Sequence, residues 1–221
     1  MKKLLVLTFI ALLLSCSGGD DAPTNNPNNP DPTPTPTTYT LGGIGPGGGR
    51  IFSLDATGQH GLEVTGVLGL VKWGEVPRNP QTQIYVPVPQ LGVAIGTGKD
   101  NTTKIVNHIG NNNGELYAAK ICYDLVLNGK DDWYLPSREE LYTMLHFFKY
   151  EHPIADFFSI NENTWSSSCD INDPDDPNPY NSAPLLNVWS VDWHSDNNYW
   201  RQHLYLESPA MAINVRAIRN F

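Results

Sequence analysis

Asp132-Trp-Tyr-Leu-Pro-Ser-Arg-Glu-Glu-Leu-Tyr-Thr-Met-Leu-His-Phe-Phe148 is the stretch that decides the fold class. Ser137 stands three residues before Glu140, the spacing of a capping box, in which each side chain serves the other's backbone N–H. Leu141, Met144, Leu145 and Phe148 then recur at helical spacing, so a helix opens at Ser137. Trp133, Pro136 and Ser137 read as an anchoring aromatic, a chain stop and a helix cap.

Upstream, residues 115–127 predict a second helix, with Ala118, Cys122 and Leu125 on one face and Lys120 and Asp124 off it. Asn128-Gly129 reads as its C-terminal stop. Strands flank the helices: 50–55 and 61–65 before them, then 165–168, 187–193, 199–206 and 212–219 after. A polar turn at 194–198 joins the middle pair, and Gly96-Thr-Gly-Lys99 reads as a turn. The order strands, two main helices, strands is α+β with short, mostly antiparallel strands.

Composition narrows the function classes. The 221 residues carry 14 Lys and Arg against 23 Asp and Glu, a net charge of −9, which disfavours a nucleic-acid partner. With 19 glycines, 18 prolines and 17% charged residues, a coiled coil is excluded. Three cysteines are too few for a disulfide scaffold or a four-thiolate zinc site. There is no His-Glu-x-x-His, no Gly-x-Ser-x-Gly and no phosphate-cradling glycine loop, so no enzyme is expected.

The amino end reads as an address. Lys2 and Lys3 precede an apolar run from Leu4 to Leu14 that is too short to span a bilayer, then Leu13-Leu14-Ser15-Cys16. That tetrapeptide resembles the bacterial lipobox, which implies a signal peptide over 1–15 and a lipidated Cys16. Ser17 favours the outer membrane, and Gly18-Gly19-Asp20-Asp21 looks like a short surface-export tag. Residues 16–38 form the lipidated cysteine and a Pro/Thr/Asn-rich spacer without a core. The expected arrangement is a lipid-anchored outer-membrane protein facing outward, with one domain over 39–221.

Within that domain Gly48-Gly-Arg-Ile-Phe52, Gly58-Gln-His-Gly-Leu62, Gly96-Thr-Gly98 with Asn101-Thr102, Ala118-Ala-Lys-Ile-Cys122, Asp132 to Ser137 with Glu140-Leu141, Trp165-Ser-Ser-Ser168 and Val215-Arg-Ala-Ile-Arg219 follow one another in a family's order. The chain resembles the Lcl C-terminal-domain family, named for a collagen-like surface adhesin. The resemblance implies a single C-type-lectin-like domain, related in fold to formylglycine-generating domains, with a binding or adhesive role toward a glycan or a protein. A structural subunit of an envelope complex and an enzyme with a formylglycine-generating-like site are the alternatives. The namesake's collagen-like stalk is replaced here by the Pro-Thr spacer.

Candidate site residues come from the chain's second half. Cys122 and Cys169 remain once Cys16 is lipidated, and are read as either a disulfide or two buried thiols. Between Tyr150 and Trp200 there are nine acids and no Lys or Arg, a field that repels sulfated polysaccharides and attracts cations. Asp176-Pro-Asn178 looks loosely like the calcium triplet of C-type lectins, with Asp192 as a further ligand, so calcium is the one cofactor considered. Trp189, Asp192, Trp193, Tyr199 and Trp200 gather around one hairpin and form either a sugar-stacking surface or core.

Overall fold

The computed structural model describes residues 36–74, 88, 90–154, 157, 163–170, 187–193, 198–204 and 212–221, with only the backbone for 169–170, 187–193 and 198–204. All lie in the compact unit Pro36–Phe221. Cys16, the expected signal peptide over 1–15 and nearly all of the expected spacer fall outside the described residues.

Two sheets are built from one doubled ribbon. β1 (Arg50–Leu54) pairs antiparallel with β2 (Gly61–Val64), and β2 pairs antiparallel with β8 (Ile218–Asn220). β3 (Gly69–Val71) pairs antiparallel with β7 (Ile213–Val215), which opens a second sheet of order β3-β7-β4-β5-β6. The links β2 to β3 and β7 to β8 cross between the sheets side by side. The Thr65 N–H donates to the Ala217 carbonyl (2.9 Å), the Ala217 N–H to Thr65 Oγ1 (3.0 Å) and the Leu68 N–H to the Val215 carbonyl (2.8 Å).

In the second sheet β4 (Asn163–Asp170) lies parallel to β7 at Thr164 and antiparallel to β5 (Asn187–Trp193), which pairs antiparallel with β6 (Asn198–Leu204). The register jumps from Trp165 opposite Ser190 to Cys169 opposite Val188, so Ser166, Ser167 and Ser168 bulge out of the ladder. Such a bulge frees backbone groups and re-aims side chains toward other partners.

Among the described residues, three α-helices pack on these sheets. α1 (Gly98–Ile109) and α2 (Ala118–Tyr123) cover one core around Trp73, Ile105, Tyr117, Trp133, Leu135 and Trp165. α3 (Arg138–His146), with a π-helical turn over Phe147–Glu151, covers a second around Phe52, Val64, Tyr134, Leu141, Met144 and Phe148. Mixed helix and strand with small, mainly antiparallel sheets is the α+β architecture the element order implies.

Three expectations need correction. Only the turn over residues 96–99 is expected here; a turn does occupy Ile95 and Gly96, but α1, the longest helix among the described residues, opens at Gly98, unannounced because its buried face is Gly98, Asn101, Thr102, Ile105 and Ile109, with just two apolar side chains. α2 ends at Tyr123, short of the expected 127. Asn128 and Gly129 take φ of 49° and 70° and close a two-residue turn in which Leu127 and Lys130 exchange both backbone hydrogen bonds at 2.9 Å. Asn-Gly is the preferred pair for such a primed turn, and here that chemistry outweighs its use as a helix stop. The strand expected over 212–219 is two strands, interrupted where Arg216 and Ala217 cross between sheets.

Candidate functional site

The Asp132–Ser137 stretch runs between two buried carboxylates, bonding one directly and reaching the other through Arg219. Glu140, fully buried, sits where α1 and α3 begin. Its Oε2 accepts the Ser137 N–H (2.7 Å), while Ser137 Oγ accepts the Glu140 N–H (3.3 Å), completing the expected capping box. Its Oε1 accepts the Gly96 N–H (2.9 Å) just ahead of α1 and the Tyr134 hydroxyl (3.2 Å). A carboxylate at the positive ends of two helices, with three donors, is a stable arrangement for buried charge. Burial, followed by the charge of Glu140, pushes the Tyr134 phenol well above its ordinary range.

Glu63 is the second, also fully buried, in a strand whose Leu62 and Val64 neighbours are buried too. Its two oxygens accept the N–H groups of Gly47 (2.9 Å) and Gly49 (2.8 Å), and Arg219 Nη1 donates to Oε1 at 2.7 Å. Arg219 also grips Asp132 in bidentate fashion, Nε to Oδ1 at 2.6 Å and Nη2 to Oδ2 at 3.1 Å. The hydrogen bonds from Arg219 hold the Asp132 carboxyl below the usual range. Trp133 lies under the guanidinium, 5.9 Å from ring centre to Cζ. Arg216 ties the crossover, donating to the carbonyls of Thr65 (3.1 Å) and Phe157 (2.6 Å). Both arginines therefore fasten loops.

The other motif residues close a polar seam between these anchors. Asn101 bridges both backbone groups of Gly92 (2.8 and 2.7 Å) and donates to Ser167 Oγ at 3.2 Å. Ser168 Oγ donates to the Gly92 carbonyl (2.8 Å) and accepts the Arg138 N–H (2.9 Å). The Ser167 N–H, freed by the bulge, donates to the Pro136 carbonyl at 2.7 Å. Sequence reasoning saw Glu140 only as a cap and passed over Glu63. The signal for Glu63 was an acid between two apolar residues of a short strand, downstream of Gly45-Pro-Gly-Gly-Gly49 whose amides needed an acceptor.

The expected ligand-binding residues divide. Antiparallel register sets Val191 opposite Trp200, Trp193 opposite Asn198 and Trp189 opposite Gln202, so Trp189, Trp193 and Trp200 occupy positions on one face of the β5–β6 ribbon. Asp192 pairs with Tyr199, and alternation puts both positions on the other face, the one that carries Trp165. The five thus belong to two faces rather than one surface. Asp176 and Asn178 lie outside the described residues, and among the described residues no group of three or more His, Cys, Asp or Glu side chains could hold a metal ion.

Cys122 is a free, buried thiol, which departs from the disulfide alternative. Its Sγ lies 3.9 Å from the Arg216 carbonyl, and burial pushes the thiol far above its ordinary pKa, so it is inert as a nucleophile while the domain is folded. The side chain of Cys169 is outside the described set. No helix among the described residues is long and apolar enough to cross a membrane. Comparisons with protein-family models, with curated proteins and with solved structures find no match.

Proposed function

We infer that this chain is a lipid-anchored outer-membrane protein whose C-type-lectin-like domain faces outward and binds a glycan or a protein ligand, without catalysing a reaction. One observation carries the reading: the side chains of Asp132, Tyr134 and Ser137, of Glu140 and of Ser167 and Ser168 are hydrogen-bonded to other parts of the chain, while three tryptophan positions collect on one face of an outermost ribbon. A fold that uses its recognisable motif internally places recognition on what the scaffold displays. The lipobox at Cys16 and the Pro-Thr spacer support a domain held off the lipid and presented to the surroundings.

The test joins fractionation to binding. Cys16→Ala should move the protein out of the membrane fraction, and the parent on a glycan array should bind a discrete set of glycans that a Trp189→Ala/Trp200→Ala variant loses. Unchanged membrane partitioning of Cys16→Ala removes the anchor. An array without signal, beside stoichiometric capture of one envelope protein from detergent extracts, replaces surface recognition with the accessory-subunit reading.

A further inference from the structure

A glycine that follows asparagine leaves its amide nitrogen unscreened by any Cβ, so that nitrogen can attack the asparagine side chain in a reaction that needs only water. Asn-Gly occurs twice in the chain, at Asn113-Gly114 and Asn128-Gly129. Both asparagines are exposed and both take positive φ, 55° and 49°, so neither solvent access nor backbone region separates them. What separates them is how firmly each is held.

Ring closure requires the backbone at the asparagine to rotate until the next nitrogen meets the side-chain carbon, so the local turn must open first. Opening is cheap where few bonds and no buried groups are at stake. Asn113 sits inside the short 3₁₀ turn Asn112–Gly114, none of whose residues is buried. The Gly114 N–H closes that turn on the Asn111 carbonyl (2.8 Å) and the Glu115 N–H on the Asn112 carbonyl (3.0 Å), with Asn112 Nδ2 on the Glu115 carbonyl at 3.3 Å. Among the described residues, no hydrogen bond ties the Asn113 side chain. Asn128 is held on both sides instead. Leu127 and Lys130 exchange both backbone hydrogen bonds around it, and its Nδ2 donates to the Gly47 carbonyl at 3.2 Å. The same nitrogen fills the space where a Cβ on Gly48 would stand, and the Gly47 N–H is fixed to the buried Glu63. Freeing Asn128 therefore disturbs the glycine loop that serves that carboxylate.

We propose that Asn113 is a site of spontaneous deamidation in the folded protein, while the Gly47–Asn128 contact protects Asn128. Hydroxide takes the Gly114 amide proton, and the nitrogen bonds to Asn113 Cγ. The Cγ–Nδ2 bond breaks, and the leaving nitrogen takes a proton from water and departs as ammonia. Water then opens the resulting succinimide at either carbonyl. One opening restores the chain with an aspartate, and the other routes it through the side chain as isoaspartate. Nothing is oxidised or reduced: one water is consumed, one ammonia is released, and a neutral amide becomes a carboxylate two residues before Glu115.

Peptide mapping by mass spectrometry tests it on the full chain in detergent, incubated in mildly alkaline buffer with and without urea. In the folded protein Asn113 should convert at least about tenfold faster than Asn128, giving both aspartate and isoaspartate peptides, whereas in urea the two rates should come within about threefold of each other. Asn113→Gly, which suits the positive φ and has no side-chain amide, should abolish the acidic species that grows on ion exchange of the folded parent. Asn128 converting as fast as Asn113 in the folded protein overturns the proposal. So does an Asn113 that stays intact when folded while both convert in urea, or an acidic species that persists in Asn113→Gly.

Discussion

Glu63 and Glu140 solve one problem in two ways. A carboxylate taken out of water needs several strong donors or a cation, since burying it bare costs far more than a small domain's stability margin. Glu140 uses amides at two helix starts and a phenol; Glu63 uses two loop amides and Arg219. The outer end of the Arg219 system is Asp132, at 35% side-chain exposure, and its titration is the part pH can reach. Because Arg219 lowers the folded pKa of Asp132, the pair contributes stability that is fully present above the unfolded value of about 4 and is lost as pH falls through the folded one. In melts from pH 6 to pH 2 the parent should lose more melting temperature below about pH 4 than Asp132→Asn does. Parallel curves for the two would contradict the pairing.

At the scale of elements, the start of α1 sets two effects against each other. Ala in place of a helical Gly normally gains up to about 1 kcal/mol. A methyl group on Gly98, however, would sit 2.3 Å from Glu140 Oε2, 2.8 Å from the Ser137 nitrogen and 2.9 Å from the Leu135 carbonyl oxygen, two of them backbone atoms that cannot swing aside. Overpacking of that kind costs about 1–3 kcal/mol, so Gly98→Ala should destabilise in urea titrations, and a gain in stability would show the close approach to be soft. In α3, Leu141→Ala should cost about 2–5 kcal/mol by emptying a fully buried site, checked in the same titrations, where a change below about 1 kcal/mol would contradict it.

The same comparison shows what the sequence made legible. α3 was readable because its cap, its apolar spacing and its burial agree. α1 was not, because its inner face meets a polar seam and is itself polar: Asn101 and Thr102 do there what leucines do elsewhere. Asn128-Gly129 is ambiguous by nature, since positive φ serves helix ends and hairpins alike. The β5 and β6 strands were legible from alternation, but the division of the five candidate residues between two faces depends on the register, which only the paired strands reveal.

For the whole molecule, the Asp132–Ser137 stretch acts as a spine. Asp132 joins Arg219 and Glu63 in the first sheet, and Tyr134 exchanges both backbone hydrogen bonds with Ile218 at 2.9 Å while its hydroxyl reaches Glu140. Ser137 then opens α3 over the second core. The doubled crossover of β2–β3 and β7–β8 binds the two sheets again. On this view the motif is scaffold and both sheets form one cooperative unit, which leaves the proposed recognition to the surface they carry.

The measurement that tests this most directly is equilibrium urea unfolding of the parent, Glu63→Ala and Glu140→Ala, followed by both tryptophan fluorescence and far-ultraviolet circular dichroism. The account predicts a single coincident transition in the parent that both substitutions move to lower urea, by about 3–5 kcal/mol for Glu63→Ala, which leaves Arg219 half-paired, and by about 1–3 kcal/mol or more for Glu140→Ala, which leaves buried donors without an acceptor. Variants that unfold with the parent, or that split the transition so that each substitution lowers only one half, would contradict it.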